Sequence, residues 1–149
     1  PNRRNERLAA FLLTLLRFTE WPPKTAPHTI GLLPNAGLES CLIVLCAGRL
    51  IQNRSVRIRS IRSPADALDC DLLFLGPLDN RHLDVFIYPL TEKPVLTVGE
   101  SASFHTHGGA VHILSADETI RFSVHLDNLA RSGLRISSKL IRHGATAGR

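Results

Sequence analysis

Two histidines and two serines crowd one short stretch of this chain, Glu100-Ser101-Ala102-Ser103-Phe104-His105-Thr106-His107-Gly108-Gly109, and His112 follows closely. On an extended strand, His105 and His107 would share one face. With His112 as a third ligand they would resemble a zinc donor set. The spacing alone is weak support. The stretch is glycine-rich and no carboxylate stands three or four residues from either histidine. A polar loop is the simpler reading, and no metal is expected. Ser101, His105 and Asp117 can also be composed into a Ser-His-Asp set. Such triples arise by chance, and the G-x-S-x-G elbow that presents a nucleophile is missing, so no catalytic residue is assigned and no enzyme is expected. Neither G-x-G-x-x-G nor G-x-x-x-x-G-K-[ST] occurs, which argues against a nucleotide; no cofactor is expected.

Recognition is the remaining chemistry. The loop follows the apolar run Pro94–Gly99, and open α/β sheets bind ligands beyond strand ends. Ser101, His105 and His107 are therefore candidate binding residues for a small ligand or a partner. Glu20 and Trp21 form a second candidate. Trp21 is the only tryptophan, and tryptophan is enriched among interface anchors; its plainer role is an anchor over the core at a helix end.

Cys41, Cys46 and Cys70 are the three cysteines. Cys41 and Cys46 stand five apart in a helical pattern, poor geometry for a mutual bridge. A Cys41–Cys70 or a Cys46–Cys70 disulfide stays open, either leaving one thiol over. Otherwise all three serve as small buried hydrophobes. No C-x-x-C pattern is present.

The net charge is +5, and a basic chain raises the question of nucleic acid. The arginines are scattered, however. Only Arg57 and Arg59, in the alternating run Ser55–Ile61, share a strand face, and a solvated face or a sheet edge accounts for them. No aromatic side chains interleave to stack bases, so no nucleic-acid partner is expected. No run reaches the ~20 apolar residues of a membrane span, so no membrane insertion is expected. The chain has no methionine, so its native start is expected to have been removed, by processing or by design.

These side chains need a scaffold, and 149 residues suit a single domain over 1–149. A first helix should run from an Asn5 cap to about Thr19, stopped by Trp21-Pro22-Pro23. Thr29–Leu33, Asp71–Gly76 and Pro94–Gly99 read as buried strands. Leu38–Leu45, apolar nearly all round, reads as a buried helix. Pro64–Leu68 is a loop or helical turn, and Leu78–Leu90 a weak helix and loop. Ala110–Leu114 and Thr119–Val124, four residues apart, read as a β-hairpin. Asp127 can cap a last helix, and the tail from Gly144 should fray. Continuous apolar strands alternating with helices predict an α/β fold. It should have three layers: a mainly parallel mixed sheet, helices on both faces and a C-terminal β-hairpin.

Read together, the segments resemble the YfiR family of periplasmic regulators. Phe18-Thr19-Glu20-Trp21-Pro22 is similar to the family's aromatic-x-x-Trp-Pro, and Ile30-Gly31-Leu32-Leu33 to its first strand. Cys70–Leu75, Pro94–Glu100, Gly108–Val111, Ile120–Leu126 and Gly133–Ile141 follow its later motifs in order. The resemblance implies export to the periplasm and restraint of an inner-membrane diguanylate cyclase through that enzyme's periplasmic region. It also implies a homodimer. A family cysteine near Ile30 is absent here, so Cys70 lacks that partner, and His125 stands where the family usually has Asn.

Overall fold

The computed structural model describes residues 3–142 and 145–147. Helix α1 (Arg3–Phe18) buries Leu8, Leu12, Leu15 and Leu16 completely, and each such leucine contributes roughly 1.5–3 kcal/mol. It begins before the expected cap, so Asn5 lies within the helix and faces Gly37. After it come β1 (Thr19–Glu20), β2 (His28–Leu32), α2 (Ala36–Cys46), β3 (Val56–Ser60), α3 (Pro64–Ala67) and β4 (Leu72–Gly76). Then follow α4 (Asn80–Ile87) with a 3-10 turn at Tyr88–Leu90, β5 (Leu96–Gly99), β6 (Val111–Ser115), β7 (Arg121–His125) and α5 (Leu126–Arg131). The chain closes with β8 (Arg135–Ile136), α6 (Ser138–Ile141) and β9 (Ala145–Ala147).

The main sheet has the order β3-β2-β4-β5-β6-β7-β9, and β1 and β8 form a separate antiparallel ribbon. From β3 to β6 all neighbours are parallel; β6 and β7 are the expected antiparallel hairpin. In order of appearance the five parallel strands stand 2-1-3-4-5, a doubly wound arrangement whose switch point lies between β2 and β4. The tail differs from expectation. Ala145–Ala147 pairs in parallel with β7 and extends the sheet, because β7 would otherwise leave a row of backbone groups unpaired. Gly144 lies outside the described residues.

Strand alternation divides the core in two. Leu72 and Phe74 of β4, with Ile30, Leu32, Leu96, Val98, Phe122 and Val124, point to the layer of α1, α2 and the C-terminal helices. Leu73 and Leu75 point the other way, against Ala67 of α3 and Leu83, Phe86 and Ile87 of α4. The mixed three-layer α/β architecture read from the sequence is therefore present. This division corrects the disulfide readings. Cys41 and Cys46 pack on the α1 side and Cys70 on the α4 side, so the sheet separates them and all three are free thiols. Burial pushes the Cys70 thiol up to about 11.

One further expectation changes and another is met. Helix α2 is not buried all round: Leu38, Leu42 and Cys46 face the core, whereas Ile43 and Val44 are exposed. The arginine-bearing β3 is an edge strand, and Arg59 pairs with Asp66 and Asp69. Charge here guards an open edge.

Between β5 and β6 no helix crosses over. Instead Phe104, fully buried, plugs the α4-side core. Its ring lies in a slot between two glycines: a Cβ on Gly99 would come within 2.4 Å of it, and one on Gly109 within 2.2 Å. Gly109→Ala should therefore force the ring from its slot and lower stability by about 1–3 kcal/mol, the usual cost of overpacking. Urea unfolding checks this: adding Phe104→Leu should recover part of the loss, and an unchanged midpoint in Gly109→Ala would contradict the slot.

Candidate functional site

The 101–109 stretch is held by its own side chains. Ser101 Oγ accepts the Leu78 N–H at 2.8 Å and donates to the Leu78 carbonyl at 2.6 Å. Ser101 is thus a brace between the β5 and β4 exits. His105 uses both ring nitrogens internally. Nδ1–H donates to the Gly109 carbonyl and Nε2 accepts from the Ser123 hydroxyl, each at 3.1 Å; the tautomer follows from these partners. Neither nitrogen is turned outward to bind a metal. Burial, ahead of the neighbouring His112 and His125, lowers the His105 pKa against the opposing hydrogen bonds. The rings of His112 and His125 lie 5.5 and 5.3 Å from that of His105. His107 turns instead to α4, with Nδ1–H donating to Asp84 Oδ1 at 2.6 Å. The three histidines do not converge, and among the described residues no His/Cys/Asp/Glu group is arranged to hold a metal. The Ser101–His105–Asp117 set is not assembled either, because Asp117 contacts Ser115 in the hairpin turn.

A buried asparagine ties this loop to α5. Asn128 Nδ2 donates to the His105 and Gly109 carbonyls, both at 2.9 Å, and its Oδ1 accepts from Arg131 Nη1 at 3.2 Å. Its backbone N–H donates to His125 Nδ1 at 3.1 Å. The helix cap is therefore His125, not the expected Asp127. An unprotonated Nδ1 accepts in the manner of the asparagine oxygen usual at caps, which explains how histidine serves here.

Around these residues opens a cleft of about 920 Å³. Its polar lining includes Asp84, Thr91, His105, His107, Asn128 and Arg131; Ile87, Leu90 and Val95 supply apolar wall. Tyr88, 81 % exposed, stands at its rim. Arginine and hydroxyl donors, carboxylate acceptors and an apolar floor suit recognition of a mixed surface. A smaller cleft of about 560 Å³ occupies the switch point, lined by Pro34, Asn35, Gly76 and Pro77. The Arg4–Glu100 ion pair joins α1 to the β5 exit there. The larger cleft is displaced from the strand exits, since Val95 and Thr97 bring in the start of β5.

Glu20 and Trp21 belong elsewhere. Glu20 is exposed on β1 opposite Arg135. Trp21 packs half-buried against the core, and its Nε1–H donates to the Asp71 carbonyl at 3.0 Å. Asp71 is almost wholly buried. Its Oδ2 accepts the Thr29 N–H at 2.8 Å, Lys24 Nζ lies 2.5 Å from Oδ1, and Arg54 Nη2 lies 3.7 Å from Oδ2. Beside it, buried His28 donates from Nε2 to the Ile51 carbonyl at 2.9 Å. Its Nδ1 is buried without a hydrogen-bond partner. Burial first, then the Arg54 charge, lower the His28 pKa against the Ile51 bond.

Of the sequence candidates, then, His105 and His107 share the cleft, Ser101 braces its loop, and Glu20 and Trp21 stand apart. The cleft residues absent from the sequence reading, Asp84, Asn128 and Arg131, lie on α4 and α5, more than twenty residues from the loop's centre or on its far side in sequence. No local spacing connects them.

The depressed histidines set a pH dependence. His28 and His105 are held neutral by the fold, so below about pH 6.5 the unfolded chain binds more protons than the folded one. Their stabilising contribution is complete above that pH and is lost as pH falls through the lowered folded values. Melting temperature should fall between pH 7.5 and pH 5, less steeply in His105→Gln. A melting temperature that is flat or rises on acidification would contradict this.

Among the described residues no helix is long and apolar enough to cross a membrane. The YfiR/HmsC-like family model matches residues 5–144, a span that takes in every cleft residue. Members of that family are periplasmic regulators in diguanylate cyclase signalling rather than enzymes. Motif order, architecture and the extent of the match agree: this chain belongs to the YfiR/HmsC-like family.

Proposed function

We propose that this protein acts in the periplasm and restrains an inner-membrane diguanylate cyclase by binding its periplasmic region, and that the cleft beside His105 and His107 is a contact surface. The carrying observation is family membership over residues 5–144. The cleft supports it physically. His105 has both nitrogens engaged, and Asn128 has its side-chain donors and acceptor engaged. Such groups hold a shape rather than run a reaction. Tyr88 and Arg131, by contrast, belong to the residue types that dominate interface energetics, and both line the opening.

A small ligand in the same cleft is the second reading, favoured by the cleft's volume of about 920 Å³, which falls within the usual range for such sites. The two readings are compatible, since a ligand can bias a partner-binding state.

Calorimetric titration of the protein with the soluble periplasmic region of an inner-membrane diguanylate cyclase from the same organism tests the first reading. Saturable binding is expected, weakened about tenfold or more in Tyr88→Ala or Arg131→Glu if these are anchors. No binding would overturn the reading; binding untouched by both changes would move the contact away from the cleft. For the second reading, a thermal-shift screen of amino acids and anions should raise the melting temperature of the parent protein but not of Arg131→Glu.

A further inference from the structure

We infer that the free edge of β3 is a docking site for an extended peptide strand of another protein, one that carries acidic side chains at alternate positions and apolar ones between. Among the described residues β3 pairs only with β2, on one side. The Ser55 carbonyl accepts the His28 N–H at 2.8 Å, and the Ile61 N–H donates to the Leu32 carbonyl at 2.8 Å. Both groups therefore point inward. In a trans peptide unit the N–H and the carbonyl oppose each other, so the Val56 N–H and the Ser60 carbonyl point outward. The same alternation turns both backbone groups of Ile58 outward. Such a row at a sheet edge is a template for one more strand.

The two faces beside this edge differ. On the α2 face, Val56 and Ile58 pack partly against the core, and next to them a groove of about 380 Å³ runs along the carboxyl end of α2. Ile43, Ala47 and Leu50 wall it, and Ile43 and Leu50 are 52 % and 67 % exposed. On the α3 face stand Arg57 and Arg59. Arg59 already meets Asp66 and Asp69. Arg57 is exposed and, among the described residues, takes part in no ion pair; the same holds for Arg62 just beyond the strand.

These features select the occupant. A strand laid along β3 supplies partners for the outward backbone groups and sends its side chains alternately to the two faces. On one face they enter an apolar groove. On the other they meet an unpaired guanidinium group. Apolar–acidic alternation satisfies both at once. A second copy of β3 would set arginine against arginine, so the charge that guards this edge against its own kind still admits a strand of opposite sign. None of the groove residues lines the cleft beside His105, so this surface and the cyclase contact stand or fall separately.

A capped hexapeptide of alternating glutamate and valine is the probe, titrated into the full nitrogen-15-labelled chain and followed by NMR. The amide signals of Val56, Ile58 and Ser60 should shift saturably, and those of the cleft residues should not. Arg57→Glu should weaken binding about fivefold, the upper worth of one exposed ion pair, and should strengthen binding of the lysine–valine counterpart by a similar factor. Should Arg57→Glu fail to fold, added salt should weaken binding to the parent protein by screening the same pair. A glutamate–valine peptide methylated on every backbone nitrogen keeps its side chains but offers no N–H to the edge, and it should not bind. No saturable binding of the unmethylated peptide would overturn the inference. So would equal binding of the methylated one, shifts centred on the cleft, or an affinity indifferent to both Arg57→Glu and salt.

Discussion

One buried carboxylate holds the amino-terminal edge of this sheet together. Asp71 accepts the Thr29 N–H with its side chain, donates its own N–H to the Thr29 carbonyl, and accepts the Leu96 and Trp21 N–H groups with its carbonyl. Residues preceding or within β2, β4 and β5 are thus tied to the chain leaving α1 through a single residue. The charge is matched by Lys24 and Arg54. A lone ionised carboxylate at this depth would be strongly unfavourable, so removing either basic partner should unsettle several elements together. Trp21, an interface candidate on composition, serves this junction.

A second junction, at the far side of the sheet, is built on a packed ring and a buried amide rather than on a buried carboxylate. Phe104 takes the place of a crossover helix because two glycines leave it a slot, and Asn128 then ties the loop to α5. The two junctions divide the labour. The first registers the parallel strands; the second shapes the cleft. Consequently the histidines beside that cleft are framework pieces, and the surface available to another molecule is made by the residues around them.

Most of the architecture was legible because burial on two faces leaves continuous apolar runs such as Leu72–Leu75, and a half-exposed hairpin leaves alternation. The site was legible only in part. His105 and His107 stood out as a polar cluster after a strand, but Asp84, Asn128 and Arg131 reach them through tertiary folding, which spacing does not encode. The cap at His125 was missed because imidazole seldom takes an asparagine's place there. Helix α2 shows a different limit: hydropathy reports that a face avoids water, without saying whether its own core or another chain covers it.

The account rests on a scaffold that regulates by contact. Cellular cyclic di-GMP, measured in a strain lacking this gene and in the same strain supplied with it again, tests that most directly. The account expects the level to rise on deletion and to fall back on restoration of the gene, but not on restoration of Tyr88→Ala with Arg131→Glu. A level unmoved by deletion, in a strain with an active inner-membrane diguanylate cyclase, would contradict it.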